Sequence, residues 1–303
     1  MMRNNLRIIL LLTLIWLQTS LCGGKSGFNF LSIGVDAKVV SLADAGVALP
    51  PELGTIYYNP AGLGALKRNS VLITYRNWMV DGKFLYASVS IPTKFLNFAL
   101  SLTSFSVSDI EIRERPGEAE GKFTSRDFGL SLSASPNLST KLKVGLTAKY
   151  ILEKIFVDET NLVSFDLGIL YAFKFSQFNF QTGASLKDFG FKGKFRTDNI
   201  NPPTMLSIGA SINYSIAPGS IDILLNAETK HKFYDSLSLL SMGIGFKFLS
   251  SFTLNLGYIS GYNIGNLRFG GGVELSKFSV HYAFSSFEHN FPNSHVITIN
   301  LNL

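Results

Sequence analysis

Four histidines (His231, His281, His289 and His295) and one cysteine (Cys22) are the residues best suited to hold a metal ion. None stands at ligand spacing from another. The histidines fall in loops or at strand ends of the pattern below and read as exposed side chains. Gly24-Lys25-Ser26 ends like a phosphate loop, but the upstream glycine and the strand-to-helix setting are missing. Ser, His and Asp recur in the polar connections without a Gly-x-Ser-x-Gly elbow. Glu111, Arg113, Glu114, Arg115, Glu118 and Glu120 surround Pro116-Gly117, a mixed-charge run that suits a solvated loop or an outward docking surface. No catalytic residue, metal ligand or cofactor is expected, and an enzyme has no residue to support it.

Composition narrows what could position any of these groups. Of 303 residues, 46% are hydrophobic and 16% charged, with 26 Phe and 27 Gly and a mean hydropathy of +0.23. A typical soluble domain carries about 25% charged residues. Disorder needs low hydrophobicity and high charge, and a single cysteine excludes a disulfide scaffold. The net charge is +6, yet no run of Lys and Arg concentrates it, so no nucleic-acid partner is expected.

Arg3 and Arg7, the apolar stretch 8–17 and Ser20-Leu21-Cys22 before Gly23-Gly24 describe a secretory signal peptide over residues 1–22. The apolar stretch is shorter than the ~20 residues that span a bilayer as a helix. Bulky Leu21 argues against a lipoprotein-type cleavage before Cys22.

Beyond residue 69 the apolar period is two. Leu142, Val144, Leu146, Ala148, Tyr150 and Leu152 alternate with Lys141, Lys143, Gly145, Thr147, Lys149, Ile151 and Glu153. Side chains at such spacing point to opposite faces of a strand. The pattern predicts fourteen strands over 70–78, 83–91, 95–107, 124–135, 141–153, 161–173, 176–188, 204–214, 220–229, 238–248, 252–260, 267–275, 278–287 and 295–303. Many match the ~9–11 residues of a tilted membrane strand. Short turns follow the even strands. Longer, more polar links follow most odd ones, at 108–123, 154–160, 189–203, 230–237, 261–266 and 288–294. That asymmetry belongs to transmembrane barrels. A soluble sandwich would also alternate, but its polar face would carry more charge and less Gly, Ser, Thr and Asn. The expected fold class is therefore all-β, a 14-stranded antiparallel transmembrane β-barrel over 70–303. Its partners are outer-membrane lipid, and its place is the outer membrane of a Gram-negative-type bacterium.

Residues 23–69 do not alternate. They read Phe28-Asn29-Phe30-Leu31-Ser32-Ile33-Gly34, Asp36-Ala37-Lys38, Leu42-Ala43-Asp44-Ala45-Gly46-Val47-Ala48 and Tyr57-Tyr58-Asn59-Pro60-Ala61-Gly62-Leu63-Gly64. With Val107-Ser108-Asp109-Ile110, Phe165-Asp166-Leu167-Gly168 and Asn201-Pro202-Pro203-Thr204, this order resembles the PorV/PorQ-like outer-membrane proteins, which share their fold with the FadL transporters. Lys38 stands where that family has Arg, and Ala43-Asp44-Ala45 where it has Gly-Gly-Ala. The resemblance implies that 23–69 folds into the barrel as a hatch, with Asn59, Pro60, Ala61 and Gly62 as its structural motif. Asn-Pro also starts ordinary turns. Gly62 and Gly64 are expected at close backbone approaches, and Gly270-Gly271-Gly272 at a kink or where the hatch meets the wall.

Two functions follow from the resemblance. One is a cargo-shuttle or assembly component related to type IX secretion, with a secreted protein as partner and Asp109, Glu111, Arg113, Glu114 and Arg115 as docking loop. The other is passive transport of long-chain fatty acids or other hydrophobic molecules, with Phe28, Phe30, Tyr57 and Tyr58 as apolar ligand contacts.

Overall fold

A computed structural model describes residues 26–303 except 80, 114, 218, 262–264 and 289–290. The expected signal peptide lies outside the described residues. The wall consists of β1 (Ser70–Asn77), β2 (Gly82–Ile91), β3 (Leu96–Ile112), β4 (Gly121–Pro136), β5 (Leu142–Ile155), β6 (Asp158–Phe175) and β7 (Phe178–Gly190). It continues, after a small hairpin of β8 (Gly193–Phe195) and β9 (Asp198–Ile200), with β10 (Met205–Ala217), β11 (Ile221–Lys232), β12 (Leu237–Phe248) and β13 (Phe252–Ser260). β14 (Leu267–Glu274), β15 (Phe278–Ser285) and β16 (Ser294–Asn302) complete it. β7 pairs directly with β10, and β1 with β16 from Ser70↔Asn302 to Asn77↔His295, so fourteen antiparallel strands close into a barrel. Among the described residues no helix is long and apolar enough to cross a membrane.

The alternation resolves into an outside and an inside. On β5, Leu146 and Tyr150 are 46% and 44% exposed, whereas Thr147 and Lys149 are 4% and 5% exposed. The same apolar-out arrangement puts Phe128, Leu254, Leu256, Tyr282 and Ile299 on the outer surface. A soluble protein would bury these side chains. A barrel in hydrocarbon exposes them and closes its strand edges, leaving no backbone group unpaired toward lipid.

The strands are longer than the pattern predicts at the long-connection end. β3 and β4 remain paired through Ile110↔Phe123, Glu111↔Lys122 and Ile112↔Gly121, after a register shift between Val107 and Ile110. Asp109 turns that bulge with φ of 60°. The expected loop 108–123 thereby shrinks to 113–120, and Asp109 and Glu111 are strand residues. Likewise 154–160 is strand except for a turn at Phe156 and Val157, and the hairpin β8–β9 occupies the expected loop 189–203. Apolar alternation marks a strand only where one face meets lipid, so strand continuing past the bilayer has no such mark.

If the exposed row faces hydrocarbon, Leu146→Arg near mid-row should destabilise the barrel by about 2–4 kcal/mol. Urea unfolding from phospholipid vesicles measures this.

Candidate functional site

Residues 26–69 run through the barrel from one end to the other. At the long-connection end, Ser26 bridges to Asn201 and its hydroxyl meets Asp235 at 2.9 Å. At the other, Asn97 donates through Nδ2 to the carbonyls of Leu63 (2.8 Å) and Leu66 (3.0 Å), just before β1 begins. Between them, local capping fixes a few tight turns. Asp36 accepts from the Lys38 amide at 2.8 Å and caps the short helix Ala37–Ser41. Asn59 accepts from the Ala61 amide at 3.1 Å, with Pro60 in the first helical position, and starts the 3-10 turn Pro60–Ala65. Ala43 and Asp44, standing where the resembled stretch has Gly-Gly, adopt φ of 63° and 57°. Those left-handed values suit glycine and, less well, aspartate.

Two features of the wall receive this segment. The first is missing side chains. A methyl group on Gly145 of β5 would lie 2.3 Å from the Pro60 carbonyl, one on Gly183 of β7 2.3 Å from the Val47 oxygen, and one on Gly257 of β13 2.3 Å from the Ala43 nitrogen. Gly270 likewise meets Ser41, and Gly64 meets Ser135, but Gly62 has no comparably close neighbour, contrary to expectation. The second is polar side chains that end on backbone atoms. Asn59 Nδ2 donates to Val47 O (2.7 Å) and Ile169 O (3.0 Å), Asn226 Nδ2 to Ala45 O (2.9 Å), Ser211 Oγ to Ala48 O (2.6 Å) and Arg76 Nη1 to Gly34 O (2.8 Å). The Val47 amide donates to the Glu228 carboxylate at 2.8 Å and the Ala37 amide to Thr298 Oγ1 at 2.9 Å.

Buried charges reinforce the contact. Lys149 pairs with Asp166 (2.7 Å) and Asp188 (2.6 Å), and the Lys187 ammonium lies 3.8 Å from the Tyr57 ring centre. Lys38 bridges Glu52 (2.6 Å) and Glu274 (2.7 Å), while Lys247 (2.6 Å) and His281 (3.4 Å) reach the same Glu274. His281 thus sits buried in β15 against the lumen, not exposed; its polar-parity position already marked the inner face. Glu52 and Glu274 thus hold the Lys38 ammonium between two carboxylates.

Phe28, Phe30 and Tyr58 pack with Leu31, Leu53, Leu63 and the inward Leu72, Phe84, Tyr86 and Ile151 in one apolar cluster, with Tyr57 against it. Phe28 and Phe30 line none of the cavities described here. Tyr57 and Tyr58 line a cavity of about 50 Å³ together with Trp78, Lys187, Lys230, Lys232 and Arg268. A second cavity, of about 260 Å³, opens between the segment and β10–β14 and is lined by Lys38, Glu52, Asn213, Lys247, Asn255 and Glu274. Val39, Leu49, Leu224 and Phe246 line the larger cavity as well, so polar and apolar side chains share it. Of the expected docking residues, Arg113 pairs with Glu111 at 2.5 Å and Asp109 with Lys122 at 3.5 Å; Arg115 is exposed and Glu114 lies outside the described residues.

No family model matches the chain, and no curated protein does. Solved structures do. The toluene transporter TbuX of Ralstonia pickettii aligns with 89% of this chain and 98% of its own at 10% identity and a TM-score of 0.54. The CymD monoaromatic hydrocarbon channel covers 89% and 97% at 12% identity and 0.57, and a Pseudomonas aeruginosa FadL homologue 88% and 98% at 9% identity and 0.52. The chain has the fold of FadL-like 14-stranded barrels. These matches lend no support to the narrower PorV/PorQ resemblance.

Asn59→Ala removes the turn cap, the bond to the Ile169 carbonyl of the wall and the bond to the Val47 carbonyl within the segment, leaving two carbonyls short of a donor. At about 1–3 kcal/mol for buried groups left unmade, it should loosen the inner segment while the barrel persists. Protease cleavage within 26–69, with an unchanged heat-shifted gel band, measures this.

Proposed function

We propose that the protein is a non-enzymatic outer-membrane channel for hydrophobic small molecules, exported by its N-terminal signal peptide and closed by residues 23–69 acting as a plug. The carrying observation is a closed 14-stranded barrel whose lumen is filled by its own N-terminal segment. A barrel of this width leaves space its own wall side chains cannot fill. Barrels that align over nine-tenths of the chain include proteins described as a toluene transporter and a monoaromatic hydrocarbon channel. In this reading Asn59-Pro60-Ala61-Gly62 anchors the plug, while Phe28, Phe30, Tyr57 and Tyr58 contribute apolar surface that a ligand meets once the plug shifts.

The wall at β7 and β10 offers the route outward. Val47 of the plug presses on Gly183 and Gly209 from inside. Outside, the same strands carry an apolar concavity of about 610 Å³ lined by Tyr171, Ala184, Ile208, Ala210 and Ala227. The adjoining β6–β7 pairing shifts register between Phe165 and Leu167. One layer of backbone therefore separates plug from lipid where side chains are smallest.

The secretion reading needs a free outer platform, and the charges at Asp109, Glu111 and Arg113 are engaged locally. It has no observation of its own in its favour.

Outer-membrane vesicles carrying the protein should take up radiolabelled toluene or oleate faster than vesicles without it, and glucose no faster. Equal uptake of the hydrophobic probes in both would remove the transport reading. Loss of secreted-protein capture on deleting 113–120, with uptake unaffected, would favour the secretion role.

A further inference from the structure

Outside the lumen, a small arc of the lipid-facing wall differs from the rest. At the long-connection end, the outward rows of β1, β3, β12 and β13 pass into Asn77, Ser106, Ser238 and Ser260, all uncharged. Those of β2, β4 and β5 pass instead into cations: Lys83 beyond Leu85, Arg126 beyond Phe128 and Lys154 beyond Leu152, all exposed. The register places them side by side. Lys83 is opposite Ser106, Ser106 opposite Arg126, and Arg126 opposite Lys154. With strands ~4.8 Å apart, the three cations span an arc of about 15 Å.

Like charges directly opposed across a strand pair repel, and Arg126 and Lys154 are so opposed. Among the described residues none of the three forms an ion pair; Glu159 opposes Lys154 on β6 without forming one. The neighbouring acids Asp127 and Glu153 have inward parity, and Asp127 is buried. Further out, Lys122 already has Asp109. An anion from outside the chain is the missing partner.

The surroundings say which anion. Directly below the arc lie the exposed Leu85, Leu102, Phe128, Tyr150 and Leu152. An occupant must join an anionic head to hydrocarbon tails, as lipids do at the boundary of the bilayer. We propose that Lys83, Arg126 and Lys154, with the hydroxyl of Ser106 between them, bind the phosphate group of a lipid in the surrounding leaflet. The guanidinium of Arg126 offers a planar fork for two phosphate oxygens. Lys154 shares that phosphate and Lys83 approaches from across Ser106, while the acyl chains lie along the apolar strip. The inference requires a membrane-embedded barrel and is independent of what the barrel transports.

Titrating the detergent-extracted, delipidated protein with fluorescent lipid A and with its dephosphorylated form tests this. The phosphorylated lipid should bind at least about tenfold more tightly. At roughly fivefold per cation near a charged membrane surface, Arg126→Gln with Lys154→Gln should weaken it about 25-fold. Lys277→Gln, at the opposite end of the barrel, should leave binding unchanged. A heat-shifted gel band shows that each variant is folded. Equal affinity for both lipids, a double variant that binds like the parent, or equal weakening by Lys277→Gln would overturn the proposal. Displacement of lipid A by millimolar inorganic phosphate would overturn it too, since a free ion would then suffice.

Discussion

Irregular backbone at membrane depth must have each amide and carbonyl satisfied by protein, because hydrocarbon offers no partner. The inner segment meets that constraint with side chains of the wall. Asn97, Ser211, Asn226, Lys230 and Arg76 donate to its carbonyls, while Glu228 and Thr298 accept from its amides. The polar inner parity of the strands is thus a set of caps for one particular chain path. Glycine serves the same end by another means: where the path touches the wall, a side chain would occupy the space of plug backbone.

The barrel was legible because lipid imposes a strict apolar rule on one face and nothing equally strict on the other. Leu142 to Leu152 announce β5 without help from Lys141 to Glu153. Departures from the rule carried information that period alone could not interpret. Ile151 falls on the polar parity of β5, and it is apolar because the plug cluster covers it. His281 shares the parity of Ser279 and Ala283, which faces it inward to Glu274. The apolar period stops short of the outer ends of β3 and β4, because both faces there meet water. The three-residue strands β8 and β9 are too short to show any period.

Less of the site could be read. Asn59-Pro60 was visible as a turn, yet its second role depends on Val47 and Ile169, far apart in sequence. The Lys149–Asp166–Asp188 group joins three strands. Asp188 reaches Lys149 from beyond the β6–β7 register shift, which no periodicity records. Phe28 and Tyr58 were recognisable as large apolar residues, but whether such residues line a void or fill one depends on the opposing wall. Here Phe84, Tyr86 and Leu72 fill it.

The plug is held by two kinds of contact, unequally shared around the wall. Against β1, β2, β3, β5 and β6 an apolar cluster dominates, with Leu72, Phe84, Tyr86, Ala99, Ile151 and Leu162 closing over Phe28, Leu53 and Leu63, beside hydrogen bonds from Arg76 to Gly34, from Asn97 to Leu63 and from Asn59 to Ile169. Against β10, β11, β13, β14 and β16 it is held by hydrogen bonds and ion pairs from Ser211, Asn226, Glu228, Asn255, Glu274 and Thr298. Separating apolar surfaces exposes area to water at about 25 cal/mol per Å². Exchanging a hydrogen bond for one to water costs only about 1 kcal/mol net. Water already has room on the polar side, in the 260 Å³ cavity beside Lys38 and Glu274. The contacts that exchange most cheaply with water therefore lie along β10–β14, beside that cavity.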